Sequence, residues 1–166
     1  MIYYLKNYNV FIEIKYNNFI SFIFKLCYYK YAGDVMSRSE QRVEIMTMLY
    51  QVLLYKKNKM EYNIDILLDD KDDFIKNIVN GVLEKESELE ELANKYLNNW
   101  KLDRLGFTDQ AIIKMGIYEI LYTDTPNRVC INEAIELSKK YSDDSVVGIV
   151  NGVLDKVYHN EVSDAE

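Results

Sequence analysis

From Ser37 onward, apolar residues recur every three or four positions, which is the spacing that an amphipathic helix needs to bury one face. The pattern predicts a first helix over residues 38–55, and Ser37 with Glu40 forms a candidate capping box at its start. It also predicts a short helical turn over 64–68 and a charged amphipathic helix over 86–96. Hairpin patterns are missing from this part of the sequence, and proline and glycine are scarce. The sequence therefore predicts an all-α fold with short links.

Four further helices are predicted from polar caps that precede apolar positions at helical spacing. Carboxylates favour helix N-termini because the helix macrodipole is positive there. The predicted segments are 74–83 behind Asp69–Asp73, 111–121 behind Thr108 or Asp109, 131–141 with Asn132 as its cap, and 145–159 behind Asp143 or Asp144. The helical domain then covers residues 36–160, and residues 161–166 are expected to fray.

One eight-residue phrase occurs twice: Ile78–Lys85 recurs as Ile149–Lys156, with a single exchange of Glu for Asp. Each copy holds a glycine, Gly81 or Gly152, at a position where a helix interior favours alanine by about 1 kcal/mol. A glycine lets another backbone approach closely because it has no Cβ. The repeat therefore predicts two similar helical layers that meet at glycine-lined contacts.

Residues 1–35 differ in composition from the rest of the chain. They hold seven of the fifteen tyrosines and four of the six phenylalanines, with no clean helical or strand period. Polar residues interrupt the apolar run, so a membrane span is not predicted, and the sequence lacks a signal-peptide cleavage site there. We interpret the segment as a non-native upstream leader or a disordered extension, with the native protein starting at Met36. The alternative is an extra strand or helix that packs on the domain.

The charge balance is acidic, with a formal net charge of −7. Such a chain is not suited to indiscriminate nucleic-acid binding, so any RNA contact needs a local basic patch. Cys27 and Cys130 lack metal-ligand spacing and are interpreted as reduced thiols of a cytoplasmic protein. A phosphate-binding glycine loop, a nucleophile elbow and a histidine pair are all missing from the sequence. We therefore predict no catalytic residue, no metal and no cofactor.

Several blocks in the second half of the chain resemble the NusB family of transcription antitermination factors. The most specific block is Val129–Tyr141, which continues through Asp144–Ser145 into the second copy of the repeated phrase. The other blocks are Trp100–Leu105, Asp109–Lys114 and Tyr118–Leu121. The resemblance covers about residues 37–158 and does not include residues 1–35. It implies an all-α, NusB-like helical bundle of two small helical subdomains.

The resemblance also implies a function as a non-catalytic adaptor. Proteins of this family pair with NusE, a small-subunit ribosomal protein, and the pair binds the boxA element in nascent transcripts, notably ribosomal RNA leaders. The pair helps to assemble a complex on RNA polymerase that reads through terminators. Two alternatives stay open: an RNA-targeting helical domain associated with ribosomal RNA methylation, and a protein-only interaction module. A homodimer also stays open, since some relatives are monomeric and others dimeric.

The RNA contacts that the resemblance implies begin in the first helix, with Arg38 and Arg42. These arginines are four residues apart and share one helix face, so their guanidinium groups suit neighbouring phosphates. Tyr50 lies further along the same helix and suits base stacking, unless it is a core aromatic. The candidates that complete the basic surface are Lys114, Lys139 and Lys140. The alternative for all these basic residues is ordinary solvated charge.

The chain departs from the family pattern at two places that bear on RNA binding. Its first helix keeps only Arg38 and Arg42 of an arginine-rich motif, and Gly148-Ile149 stands where relatives often have Lys-Phe. Fewer cations release fewer counterions, so we expect weak RNA binding by the chain alone and a shallow salt dependence. The ribosomal-protein partner then supplies much of the affinity.

The partner surface is predicted on exposed side chains of the family's middle block. The candidates are Trp100, Lys101, Leu105 and Asp109. A basic ribosomal protein and an acidic chain attract each other, which speeds their encounter. The alternative for Trp100 is a core anchor, because a lone tryptophan is more often buried.

Overall fold

The structure is a computed structural model that describes residues 36–162. Residues 1–35 and 163–166 lie outside the described range, so the leader hypothesis and most of the predicted frayed tail lie outside it as well. The described residues form helices joined by short loops and contain no strand. The predicted all-α fold is confirmed.

Seven α-helices and two shorter helical turns follow one another within residues 36–162. The α-helices are α1 (Arg38–Lys57), α2 (Ile64–Leu68), α3 (Asp73–Glu84), α4 (Glu86–Tyr96), α5 (Phe107–Tyr122), α6 (Asn127–Tyr141) and α7 (Asp144–Val157). A 3₁₀ turn, Leu102–Arg104, precedes α5, and a π-helical turn, Tyr158–Val162, follows α7. Glu161, which the sequence predicts to fray, belongs to this last turn and accepts a hydrogen bond from Lys95 Nζ at 2.7 Å.

The capping box predicted at the start of α1 is present. Ser37 Oγ accepts a hydrogen bond from the backbone N–H of Glu40, and the Glu40 carboxylate accepts one from the backbone N–H of Ser37 at 3.0 Å. The acidic run before α3 also supplies a cap, because Asp72 accepts from the backbone N–H of Phe74 at 2.9 Å. Each cap satisfies N–H groups that a helix start leaves without an intrahelical partner.

The predicted start of α5 is wrong. The helix begins at Phe107, before both predicted caps, and Gly106 occupies the cap position. The Asp109 carboxylate reaches back to accept a hydrogen bond from the backbone N–H of Gly106 at 3.1 Å. Asp109 therefore stabilises the helix start from inside the first turn, where a carboxylate also interacts favourably with the macrodipole.

The predicted start of α6 is also wrong, by four residues. The helix begins at Asn127, so Asn132 lies inside it and is exposed rather than capping its end. Pro126 explains the earlier start, because its fixed φ suits a helix entry. The Pro126 carbonyl accepts hydrogen bonds from the N–H groups of Val129 and Cys130, which starts the helical ladder.

Helix α5 occupies the centre of the bundle and packs against α1, α3, α4, α6 and α7. Every residue from Asp109 to Ile117 is buried, which explains why most of this segment is apolar all round. Three charged side chains of α5 are buried: Asp109, Lys114 and Glu119. None of the helices within residues 36–162 is long and apolar enough to cross a bilayer.

The two copies of the repeated phrase lie in α3 and α7, and both helices pack on α5. The first copy uses its glycine for a close contact, because a Cβ at Gly81 would stand 2.0 Å from Tyr118 Oη. A Cβ at Gly152 would meet no atom of the described residues within 4 Å, so the glycine-lined contact predicted there is wrong. On that side Gly116 of α5 provides the close approach, since its Cβ would lie 2.9 Å from Leu154 Cδ1.

Candidate functional site

Arg38 lies in the first turn of α1 with 62% of its side chain exposed. Its guanidinium carbon lies 4.2 Å from the centre of the Phe74 ring, and Nη1 donates a hydrogen bond to Gln41 Oε1 at 2.8 Å. Asp72 is 3.6 Å away and is half-exposed itself. The ring and the amide hold the guanidinium at the surface, where it can bind an anion such as a phosphate.

Arg42, one turn further along α1, does not reach the surface. Its side chain is 3% exposed, and Nε and Nη2 donate hydrogen bonds to both carboxylate oxygens of Glu119 at 2.7 to 3.1 Å. Glu133 of α6 lies 3.8 Å from Nη1. Burial opposes the charge on the guanidinium, but the hydrogen bond and the charge of Glu119 prevail and raise the pKa of Arg42. The predicted role of Arg42 as a phosphate contact therefore needs correction: this arginine joins α1 to α5 and α6.

Lys114, also predicted for the RNA surface, is buried in the same way. Its Nζ donates hydrogen bonds to Glu86 Oε1 at 3.0 Å and to Glu90 Oε1 at 2.6 Å, and only 3% of its side chain is exposed. Lys56 pairs with the same Glu86 from the other side. Burial of Glu86 opposes ionisation, but the hydrogen bond from Lys56 and the charge of Lys114 outweigh it and lower the pKa of Glu86. Lys114 thus joins α5 to α4, which corrects the predicted RNA contact.

Tyr50 is half-buried on α1 and meets the ring of Phe107, the first residue of α5. The two ring centroids are 6.0 Å apart and the planes cross at 72°, an edge-to-face contact. Lys57, two turns beyond Tyr50, places its Nζ 5.1 Å from the centre of the Phe107 ring. The sequence pattern predicts neither Phe107 nor Lys57 as a site residue, because Phe107 precedes the predicted start of α5 and Lys57 follows the predicted end of α1.

Lys139 and Lys140 are exposed near the end of α6. Lys139 pairs with Glu136 at 2.7 Å, and Lys140 Nζ lies 5.0 Å from the ring centre of the neighbouring Tyr141. Glu133, which contacts Arg42, precedes Lys139 by six residues, or about 9 Å along the helix axis. Both lysines are therefore accessible, but they lie beyond the part of α6 that meets the start of α1.

Trp100 and Lys101 are both exposed in the loop before the 3₁₀ turn, with 51% of the tryptophan accessible. Asn99, just before them, has a φ of 60°, in the left-handed region that asparagine tolerates better than most residues. The loop therefore presents the indole to solvent, and the alternative of a core anchor is not what the structure shows. An exposed tryptophan beside a cation is a feature of binding surfaces.

Leu105 and Asp109, the other two predicted partner contacts, are buried. Leu105 belongs to the apolar core, and its carbonyl accepts a hydrogen bond from the side chain of Gln110. Asp109 holds the start of α5 through Gly106 and also accepts a hydrogen bond from Ser142 Oγ. Their assignment to the partner surface needs correction, since both side chains are engaged within the bundle.

Cys130 is the described cysteine, and it is fully buried beside the Arg42 pair. Burial and the negative charge of Glu119 raise the pKa of the Cys130 thiol to about 12. A thiol with that pKa stays protonated near neutral pH, and the thiolate is the reactive form. Cys130 is thus a packing residue and not a nucleophile.

These elements define a class of protein: an all-α bundle around one central helix, with exposed aromatic and cationic side chains on α1 and on the loop before α5. The chain belongs to the NusB family, whose family model matches residues 39–159. It is similar to the transcription antitermination protein NusB of Staphylococcus aureus, with 41% identity over 128 residues, which covers 74% of this chain and 98% of that protein. The family resemblance stated from the sequence is confirmed.

Solved structures agree with this family on the level of the fold. NusB of T. maritima superposes with a TM-score of 0.66 at 26% identity, covering 76% of this chain and 94% of that one. A crystal structure of antitermination factors NusB and NusE in complex with dsRNA contains a chain with a TM-score of 0.57 at 19% identity, covering 75% of this chain and 98% of that one. At 19% identity, the similarity to the chain in the dsRNA complex shows the fold alone.

Proposed function

We propose that this chain is a non-catalytic adaptor of transcription antitermination. It pairs with a NusE-type ribosomal protein, the pair binds single-stranded boxA RNA in nascent ribosomal transcripts, and both join the antitermination complex on RNA polymerase. One observation carries this proposal: the NusB family match spans residues 39–159, nearly the whole described bundle. The burial of Cys130 supports the non-catalytic part, because it removes that thiol as a nucleophile.

The proposed RNA face centres on Arg38 and Tyr50 of α1. Arg38 is the exposed member of the arginine pair and is held in place over Phe74, so it pays little entropy on meeting a phosphate. Tyr50 offers a partly exposed ring for a base. Lys139 and Lys140, exposed near the end of α6, are further candidate cations for RNA outside this face. With Arg42 and Lys114 inside the bundle, RNA binding by the chain alone is weak and has a shallow salt dependence.

The proposed partner face centres on Trp100 and Lys101. The exposed indole suits a pocket on a partner, the kind of anchor that carries most of the binding energy in many interfaces. The outer side of α4 is acidic, with Glu88 and Glu91 exposed. A basic ribosomal protein is attracted to such a surface, which raises the rate of association.

A protein-only interaction module is the second candidate function. The observation that favours it is the withdrawal of Arg42 and Lys114 into buried ion pairs, which leaves fewer cations for RNA than the sequence indicates.

The adaptor proposal also includes a homodimer that covers the Arg38 face before the partner binds. Sedimentation of the chain alone detects such a dimer.

A titration of RNA separates these functions. A boxA-like RNA and a scrambled RNA are titrated into the chain at fixed salt, with and without a NusE-type partner. The adaptor binds the boxA-like RNA selectively and more tightly with the partner, and Arg38→Ala weakens that binding about tenfold, since one charge-assisted phosphate contact is lost. Lys85→Ala, among glutamates at the start of α4, serves as the control and leaves the affinity unchanged.

Each other outcome has a definite meaning. Partner binding without RNA binding establishes the protein-only module. If the chain binds neither the partner nor RNA, the proposed adaptor function is contradicted. Normal RNA binding by Arg38→Ala removes this arginine from the site and leaves the adaptor in place.

A further inference from the structure

The contact between α1 and the start of α5 is a cluster of two rings and a cation. Tyr50 meets Phe107 edge to face at 6.0 Å, and Lys57 Nζ lies 5.1 Å from the centre of the same Phe107 ring. Tyr50 and Lys57 are seven residues apart and therefore share a helix face. Leu54, between them on that face, is 37% exposed. Part of this aromatic surface is thus open to solvent, with a flexible ammonium group at its edge.

The two segments that meet at this cluster carry four cations for which residues 36–162 provide no carboxylate partner. Lys57 and Lys59 end α1 and its following turn, while Lys101 and Arg104 precede Phe107. Among residues 36–162, none of these four forms an ion pair with a carboxylate, whereas Lys56, Lys71, Lys85, Lys95, Lys114 and Lys139 all do. Lys76, Arg128, Lys140 and Lys156 also form none within this range, so the basic character of the patch comes from the grouping of its cations in two segments that meet. Asp103 is exposed between Lys101 and Arg104, but the two segments keep a net positive charge in a chain of net charge −7, which makes them a candidate basic patch beside the aromatic pair.

We propose that Phe107 and Lys57, together with Tyr50, form an RNA subsite that takes one base and its adjoining phosphate. The ring pair supplies a stacking surface for an unpaired base, and Lys57 turns from the ring to the phosphate. This inference rests on the proposed function and extends its RNA face beyond Arg38 and Tyr50 to the start of α5. It also brings the strand to the loop that carries Lys101.

The position of the subsite suits a strand that is already bound at Arg38. Arg38 and Tyr50 are twelve residues apart on α1, about 18 Å along its axis, and Lys57 lies about 10 Å further. Tyr50 is also turned by about 120° around the helix from Arg38, so a single strand that crosses α1 obliquely meets a cation, a ring pair and a second cation in that order. Lys57 and Lys59, which form no ion pair with a carboxylate within residues 36–162, favour RNA over a basic ribosomal protein as the occupant beside Phe107. Lys101 lies on the far side of the patch, next to the proposed partner face.

The test compares two substitutions with a matched pair elsewhere. Phe107→Leu removes the aromatic face and keeps apolar bulk, and Lys57→Gln removes the charge from an exposed side chain. The matched controls are Tyr122→Leu and Lys85→Gln, because Lys85 Nζ lies 4.3 Å from the Tyr122 ring in a similar cation–ring contact on the acidic side. All are titrated as full chains, saturated with a NusE-type partner, with a boxA-like single-stranded RNA at several salt concentrations.

Phe107→Leu is expected to weaken RNA binding about fivefold or more, the loss of one stacked base. Lys57→Gln is expected to flatten the slope of log affinity against log salt by about 0.7, one single-strand phosphate contact. The controls change neither quantity. Photocrosslinking with 5-iodouridine RNA adds a readout that stability does not move, and the crosslink is expected on Tyr50 or Phe107.

Three results overturn the inference. RNA binding and salt slope that match those of the unsubstituted chain in both variants, with no crosslink at either ring, exclude the subsite while the proposed function stands. Loss of partner binding in Phe107→Leu and Lys57→Gln, with the controls normal, assigns the patch to a protein. If the unsubstituted chain binds no RNA with or without the partner, the proposed function fails first and the subsite fails with it.

Discussion

Two cations are buried at the central helix α5, and their surroundings differ: Arg42 of α1 packs against this helix, and Lys114 belongs to it. Arg42 pairs with Glu119, and both side chains are almost fully buried, with 3% and 1% exposed. Lys114 is equally buried, but its partners Glu86 and Glu90 are 25% and 47% exposed. The first pair is sealed from water on both sides, whereas the carboxylates of the second can be hydrated. The two cations are equally buried, but the loss of folding stability when the ion pair is broken is therefore expected to differ between the two pairs.

The largest expected effect is the loss of stability when the cation of the sealed pair is removed. Arg42→Ala leaves the Glu119 carboxylate buried without its bidentate partner, which costs about 3–5 kcal/mol of the free energy of unfolding. That is a large share of the roughly 5–15 kcal/mol that stabilises a typical domain. Urea denaturation followed by circular dichroism measures the change. A loss below about 1 kcal/mol would show that Glu119 finds water or another donor.

The control for this prediction replaces both partners. In Arg42→Leu/Glu119→Leu neither charge of this pair is left, and Glu133 is 27% exposed and can be hydrated. The double variant is therefore expected to recover most of the lost stability or to exceed the unsubstituted chain. RNA binding by the double variant serves as a second readout. Normal RNA affinity is expected, because the structure places neither side chain at the surface.

Lys114→Met is expected to cost less, about 1 kcal/mol. Methionine keeps most of the buried volume of the lysine stem, and the Glu86 and Glu90 carboxylates turn to solvent instead of staying buried unpaired. The measurement is again the midpoint of urea denaturation, beside Arg42→Met as the matched substitution in the sealed pair. Equal losses in the two variants would contradict the distinction between sealed and hydrated pairs.

The first helix and its cap are the part of the fold that the sequence predicts best, because they depend on local residues. Ser37 and Glu40 are three positions apart, so their reciprocal hydrogen bonds are visible in the sequence. The exposed position of Arg38 is consistent with its prediction as a surface cation, although the RNA contact itself is still a proposal. The repeated phrase also locates two helices that pack on α5, while giving the wrong role to Gly152.

The buried ion pairs are the part that the sequence does not predict. Arg42 and Glu119 are 77 residues apart, and helical spacing alone places Arg42 on the face of Arg38. The packing of α5 against α1 decides that one of the two arginines is covered. The same holds for Lys114, whose partner Glu86 is on another helix 28 residues earlier. A basic residue in an amphipathic pattern is therefore a surface cation only where no carboxylate from a distant part of the sequence buries it in an ion pair.

The smallest expected effect is a pH dependence that belongs to the hydrated pair. The pKa of Glu86 is lowered in the folded chain because the hydrogen bond from Lys56 and the charge of Lys114 outweigh the cost of burial. A carboxyl group with a lowered folded pKa binds protons more readily when the chain is unfolded, so stability rises with pH. The contribution of Glu86 is therefore fully present above its ordinary value of 4.5 and is lost as the pH falls through the lowered folded value.

Comparison of the unsubstituted chain with Glu86→Gln from pH 7 to about pH 3 tests this dependence. The glutamine variant is less stable at neutral pH, and the gap between the two proteins narrows in acid because protonated Glu86 no longer attracts Lys114. In a Lys114→Met background the gap and its narrowing are both smaller, since only Lys56 still faces the carboxylate. A gap that stays constant across this range would mean that Lys114 is held by packing and by Glu90, and that the charge of Glu86 contributes nothing to the folded state.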